Sequence, residues 1–237
     1  MNKHYLLSEY EQSGHGIKIA HIDSGINEWH PHISKVNGGI AFHVHEDGRI
    51  EVKDDFSDQL GHGTAVAGVL SYHVPDAELW AVKIFDDTLQ TYTEVLTGAI
   101  EWCVDQNIDV VNLSLGVCKH DDELEKVCKY ASDKGVIMIS SCDQRRGLVW
   151  PSKYETVFGV ETGLQKNNEL IYYTPHSPLI SFRASGLPRN LEGPMQKFNL
   201  QGHSFASAHV TSFIVKIMAE FDINKKQDLE KVLLEIA

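Results

Sequence analysis

No stretch of this chain approaches the roughly 20 consecutive apolar residues that a membrane-spanning helix requires, so a helical membrane protein is excluded. The opening residues, MNKHYLL, lack the apolar run of an export signal. Cysteine is sparse: Cys103, Cys118, Cys128 and Cys142 show no C-x-x-C spacing. Without an export signal they read as free thiols rather than a disulfide framework. A soluble, cytoplasmic protein is expected. Positive charge is also scarce, with 21 Lys and Arg against 33 Asp and Glu and a formal net charge of −12. A nucleic-acid partner needs a basic surface, so that class is excluded. The acidic excess serves solubility first, and it favours a basic peptide only weakly, through long-range steering. Internal repeats, low-complexity segments and linkers are missing, so residues 1–237 read as a single domain. At that length a domain buries roughly three quarters of its unfolded surface. It needs neither disulfide nor metal to fold, and no cofactor is expected.

What is present is alternation. Short runs apolar on both sides of a pleat occur at 17–23 (IKIAHID), 78–85 (ELWAVKIF), 109–116 (DVVNLSLG), 136–142 (VIMISSC) and 156–161 (TVFGVE). Strands buried on both faces have this character. Between them, 93–106 places Val95, Leu96, Ala99, Ile100 and Cys103 on one helical face. Residues 121–134 do the same with Leu124, Val127, Cys128 and Ala131, and Gly135 follows as a helix C-terminal cap. Residues 41–53 alternate around Glu46-Asp47-Gly48, which predicts a hairpin. Residues 224–236 read as a final amphipathic helix. Strand–helix alternation implies right-handed crossovers and an α/β, three-layer, doubly wound, mostly parallel sheet. Chemistry in such folds gathers at the carboxyl ends of the strands.

Three residues stand out there. Asp23 closes the first strand ahead of Ser24-Gly25; a carboxylate so placed can orient an imidazole, although Asp-Ser-Gly alone is commonly a turn. His62 sits in Gly61-His62-Gly63-Thr64-Ala65-Val66-Ala67-Gly68, at the predicted first turn of a buried helix. An isolated His is usually structural, but this context is more specific. Ser204 opens the apolar segment 205–218 within Gly202-His203-Ser204-Phe205-Ala206-Ser207-Ala208-His209-Val210. A serine there is commonly a helix cap; it can equally be a nucleophile beside a helix N-terminus that stabilises negative charge.

Asp, then His, then Ser, each among small residues, is the chain order of subtilisin, and the chain resembles the subtilisin-like serine peptidases, in a compact intracellular form. The resemblance runs from about Ile17 to Met218. It is carried by Ala20-His21-Ile22-Asp23-Ser24-Gly25-Ile26, by the His62 and Ser204 motifs, and by Ala81-Val82-Lys83-Ile84 and 109–116. It implies that Ser204 attacks a peptide carbonyl, His62 takes its proton and Asp23 orients His62, through an acyl-enzyme. It also implies that the Ser204 N–H is one oxyanion donor. Ser114, Leu115 and Gly116 then form the edge that binds an extended peptide or protein substrate, and Gly116 borders the pocket for the residue before the cut.

Several positions depart from the family pattern. Asp143 stands where the family presents an Asn as second oxyanion donor, and an ionised carboxylate cannot donate. Three outcomes are open: Asp143 protonated in a dry site, Asp143 turned away with Gln144 or a backbone N–H in its place, or a slow or inactive protein. His203 replaces a small hydroxyl residue, Ala208 a Pro, and Ala65 a His, the last expected to be harmless. Val74-Pro75-Asp76-Ala77 leaves no room for the family's calcium loop, and no prosegment is expected ahead of Asp23. His30/His32 and His43/His45 have alternate spacing that suits metal ligands only weakly, and no metal is expected. Cys142 reads as a buried thiol more than a redox sensor. The expected function is a selective endopeptidase that processes a cellular peptide, such as a leader. The alternatives are a catalytically impaired pseudopeptidase that binds peptides, and acyl transfer to an amine. A partner protein that completes the oxyanion site is a further expectation.

Overall fold

The computed structural model describes every residue except Met1, Glu46, 164–166, Glu192 and Ala237. Ten strands form one sheet: β1 (Lys3–Leu6), β2 (Lys18–Asp23), β3 (Gly38–Val44), β4 (Ile50–Lys53), β5 (Glu78–Lys83), β6 (Val110–Leu113), β7 (Ile137–Ser141), β8 (Val157–Thr162), β9 (Leu170–Tyr173) and β10 (Phe182–Ala184). Their order is β1-β9-β10-β8-β7-β6-β2-β5-β3-β4. From β10 through to β3 neighbours run parallel. Antiparallel strands close both edges, β4 on β3 and β9 with β1 on β10. Among the described residues five α-helices accompany the sheet: α1 (His62–His73), α2 (Thr93–Asp105), α3 (Asp122–Asp133), α4 (His203–Phe221) and α5 (Lys226–Glu235).

The pleat explains the layers. Along β2, Ile19 joins one core with α1 and α4, while Ala20 and Ile22 join the other with α2 and α3. The same split holds for Val110 against Val111 and Leu113 on β6. Apolar side chains on both faces thus build a three-layer α/β fold, as the unbroken runs predicted. α4 is buried continuously from Phe205 to Met218. Its one lysine, Lys216, survives burial because Nζ donates to the carbonyls of Tyr10 (2.7 Å) and Gln12 (2.9 Å). On α3, Asp121 accepts the Leu124 N–H, and Gly135 takes the left-handed conformation (φ +94°) just past the end. The predicted hairpin is β3–β4; of its turn, Glu46 lies outside the described residues, and Gly48 has φ +82°.

The predicted strand at 109–116 is shorter than expected. Pairing stops at Leu113, and Ser114 to Gly116 leave the sheet as an unpaired segment above its carboxyl edge. The ends of β2 and β7 and the start of α1 lie along that same edge.

Candidate active site

Asp23 ends β2 fully buried. Its Oδ1 accepts the Ser24 N–H at 2.6 Å and His62 Nδ1 at 2.7 Å. A carboxylate only accepts, so Nδ1 carries the proton and Nε2 of His62 is left with a free lone pair. The His62 side chain is a quarter exposed, enough to meet a substrate. Its position depends on how α1 begins. The N-cap, Gly61, sits at φ +77° and offers no side chain. Other residues satisfy the first N–H groups of the helix. Asp58 accepts from Gly61 N (2.8 Å) and Thr64 N (2.8 Å), and Ser24 Oγ accepts from Gly63 N (2.9 Å). Ser24 in turn donates to Asp58 at 2.9 Å. Gly63 must be glycine, because a Cβ there would lie 2.2 Å from the Gly25 carbonyl oxygen.

Ser204 is the second residue of α4, so its N–H has no intrahelical acceptor. Its Oγ donates to the Ser114 carbonyl at 3.2 Å. Among the described residues it forms no hydrogen bond with His62. The structure therefore joins Asp23 to His62 and holds Ser204 against the segment that continues β6. Nucleophile–base contacts commonly tighten only with substrate bound.

Electrostatics follow from burial and pairing. Burial pushes the Asp23 carboxyl up, but the His62 hydrogen bond, the His21 and His62 imidazoles and the Ser24 N–H outweigh it, leaving it below the usual range. Burial pushes His62 down, yet the Asp23 hydrogen bond and charge, with Asp58 behind them, raise it above an ordinary imidazole. Both shifts describe one stabilised pair.

Asp143 does not sit as a dry, partnerless acid. Its Oδ1 accepts the Arg145 and Arg146 N–H groups, each at 3.1 Å, and His203 Nε2 lies 3.9 Å away. His203 Nδ1 accepts the Thr162 N–H at 3.0 Å, so its Nε2 is the protonated nitrogen and points toward Asp143. The Gln144 amide bonds Glu161 at 3.3 Å and is occupied in this conformation. Of the 114–116 segment, the Ser114 carbonyl holds Ser204 and the Leu115 carbonyl accepts Ser140 Oγ at 3.2 Å. Gly116 makes no backbone hydrogen bond among the described residues. Cys142 is buried, which pushes its thiol up to about 11 and disfavours the thiolate.

The paired histidines have separate occupations. His43 bonds Asp86 at 2.7 Å, His45 bonds Glu51 at 2.8 Å, and His32 faces the Arg189 guanidinium at 2.9 Å. No group of three metal-ligating side chains occurs among the described residues. Ala65 lies on the outer side of α1. With Gly61, Gly68 and Tyr72 it lines a cleft of about 980 Å3 along the outer side of α1, facing Arg189, Phe198 and Leu200. Sequence reasoning missed Asp58 and His21. Asp58 sits three residues ahead of Gly61 without a capping pattern that reads through a glycine; His21 was hidden inside an apolar strand.

A family model described as the Subtilase family matches residues 14–237. The thermostable alkaline protease of Halalkalibacterium halodurans is 26% identical over 220 residues, covering 88% of this chain and 58% of that protein. Subtilisin E of Bacillus subtilis is 26% identical over 224 residues, covering 88% and 57%. For the subtilisin of Bacillus pumilus the identity is 26% over 224 residues, covering 88% and 78%. The chain thus spans under three fifths of the first two relatives.

Proposed function

The chain belongs to the subtilase family, and from that premise we propose that it is a single-domain serine endopeptidase using Asp23, His62 and Ser204. The observation that carries this reading is the 2.7 Å bond from His62 to a buried Asp23, formed at the sheet's carboxyl edge beside the N-terminus of α4. Ser204 Oγ turns from the Ser114 carbonyl, gives its proton to His62 Nε2 and bonds the substrate carbonyl carbon. The oxyanion forms at the Ser204 N–H and the positive end of α4. His62 then protonates the leaving amine, and water, deprotonated by the same imidazole, releases the acyl group. Asp23 stabilises the imidazolium in both halves. Release of the Ser114 carbonyl, together with the unused backbone of Gly116, offers alternate pairing groups for an extended peptide.

The substrate we propose is a cellular peptide cut at one place, such as a leader, in the cytoplasm. The cleft beside Gly61 and Ala65 supports selectivity through contacts beyond the scissile bond, and four free thiols suit a reducing compartment. Asp143 and the Ser204–Ser114 bond favour a second reading, a peptide-binding pseudopeptidase that a partner protein activates or replaces. Labelling with a fluorophosphonate probe separates the two. Covalent modification at Ser204, lost in Ser204→Ala, is the expected result. Silence of the parent protein from pH 5 to 9 would overturn the peptidase reading and leave the binding one.

A further inference from the structure

Both oxygens of the Asp23 carboxylate are buried, and only one is hydrogen-bonded. Oδ2 has no partner among the described residues. A buried acceptor left without a donor is costly. The group facing it is His21 Nε2, at 3.6 Å, on a side chain that is itself fully enclosed. Residues i and i+2 of a strand share a face, so β2 presents His21 and Asp23 side by side toward α1 and α4.

The neighbours of His21 fix its proton. Asn112 Oδ1 accepts the Thr211 hydroxyl at 2.9 Å, which orients the amide. Asn112 Nδ2 then points to His21 Nδ1 and to Ser114 Oγ, each at 3.0 Å. An amide NH2 only donates, so His21 Nδ1 is the acceptor and Nε2 bears the hydrogen. That N–H donates to the Gly63 carbonyl at 3.1 Å while its open side faces Asp23 Oδ2. The charged or titratable groups around it are Asp23 on β2, His62 on α1 and Asp58 in the loop before α1. β6 contributes neutral Asn112, the segment after it Ser114, and α4 Thr211. Burial drives the basicity of His21 down, so it remains a fixed neutral dipole.

We infer that His21 is a positioning residue: a second imidazole whose Nε2–H faces the free oxygen of Asp23 and, through the Gly63 carbonyl, registers that carboxylate against the first turn of α1 that carries His62. Its catalytic consequence rests on the peptidase reading; its electrostatic consequence does not. The positive end of the dipole stabilises charge on Asp23, which moderates the pull of Asp23 on the His62 proton. Removing it makes the carboxylate a stronger base and raises His62 further.

The test uses the full chain with 15N-labelled imidazoles, followed by NMR from pH 5 to 9. In the parent, His21 is expected to stay in the Nε2–H tautomer without titrating. In His21→Val the His62 midpoint moves up, and in His21→Gln, whose amide restores a donor, it returns toward the parent. Fluorophosphonate labelling of Ser204 at pH 7 slows about 10-fold in the Val variant, in the range that supporting partners of functional side chains contribute, and recovers partly in the Gln variant. A His21 that titrates in this window overturns the inference. So does a folded variant with an unchanged or lowered His62 midpoint. Should the Val variant not fold, the parent tautomer and the Gln variant decide. The NMR arm needs no activity, so a parent that never labels counts against the peptidase reading alone.

Discussion

A single atom type separates two accounts of residue 143. The Asp143 carboxylate oxygen accepts two backbone N–H groups of its own turn, whereas the proposed oxyanion site needs a donor at this position. Asn at this position can keep its Oδ1 on those same N–H groups and present two hydrogens on Nδ2. In subtilisin the loss of one such donor costs about 10²–10³ in rate. Asp143→Asn is therefore expected to raise Ser204 labelling and peptide cleavage by at least about 10-fold. The comparison is of second-order labelling rates for parent and variant. An equal or slower variant would mean that another group supplies the donor, and His203, whose Nε2–H already points this way, becomes the next residue to replace.

At the scale of elements, α1 does two jobs on two sides. Its buried face and first turn place His62, while its outer face exposes a stripe of small residues, Gly61, Ala65 and Gly68, as the wall of the cleft. A large side chain at 65 projects into that space and leaves the first-turn bonds to Asp58 and Ser24 untouched. Ala65→Phe is thus expected to leave small-probe labelling of Ser204 unchanged. Cleavage of peptides with long leaving segments should weaken about 10-fold, the scale on which a pocket discriminates by size. Product analysis by mass spectrometry across a length series reads this; uniform loss at every length would place the cleft outside the substrate path. The same element shows what sequence conveys. Strands buried on both faces announce themselves as apolar runs, and the glycine-flanked His62 predicts a tight helix start. Asp58 is not legible, because its role depends on a helix N-cap without a side chain and on Ser24 brought from the end of β2. β1, β9 and β10 are not legible either. They have three or four residues each, and β1 pairs with β9 across most of the chain, so their pattern is tertiary rather than local. His21 read as one more residue of a buried strand; only the register with Asn112 reveals a polar face there.

For the whole molecule, pH acts through imidazoles shifted in opposite directions. His62 is raised in the fold, so its contribution to stability is complete below the unfolded value of about 6.5 and is lost as pH rises through its folded value. The proposed mechanism needs His62 neutral, so activity should climb over that same rise. Behind α1 a second pair works the other way. His209 Nε2 donates to the Leu187 carbonyl at 2.8 Å, which makes its Nδ1 the acceptor for His73 Nε2–H at 3.2 Å. Burial holds His209 at about 4 and, with help from His209 and Lys216, His73 at about 3. Lowered folded values mean stability present above about 6.5 and lost as pH falls toward 4. For His209 alone the loss develops to on the order of 3 kcal/mol, roughly 5–10 °C of melting temperature in a chain of this size. Melting followed by circular dichroism at pH 7 and pH 4.5 is expected to show a drop of that order, and His209→Gln, which keeps a donor for Leu187 without a basic nitrogen, should shrink it. A parent whose melting temperature is flat between those pH values would overturn this account, and a Gln variant with an undiminished slope would move acid sensitivity away from this pair and onto other buried titratable groups such as His21 and the Asp23–His62 couple.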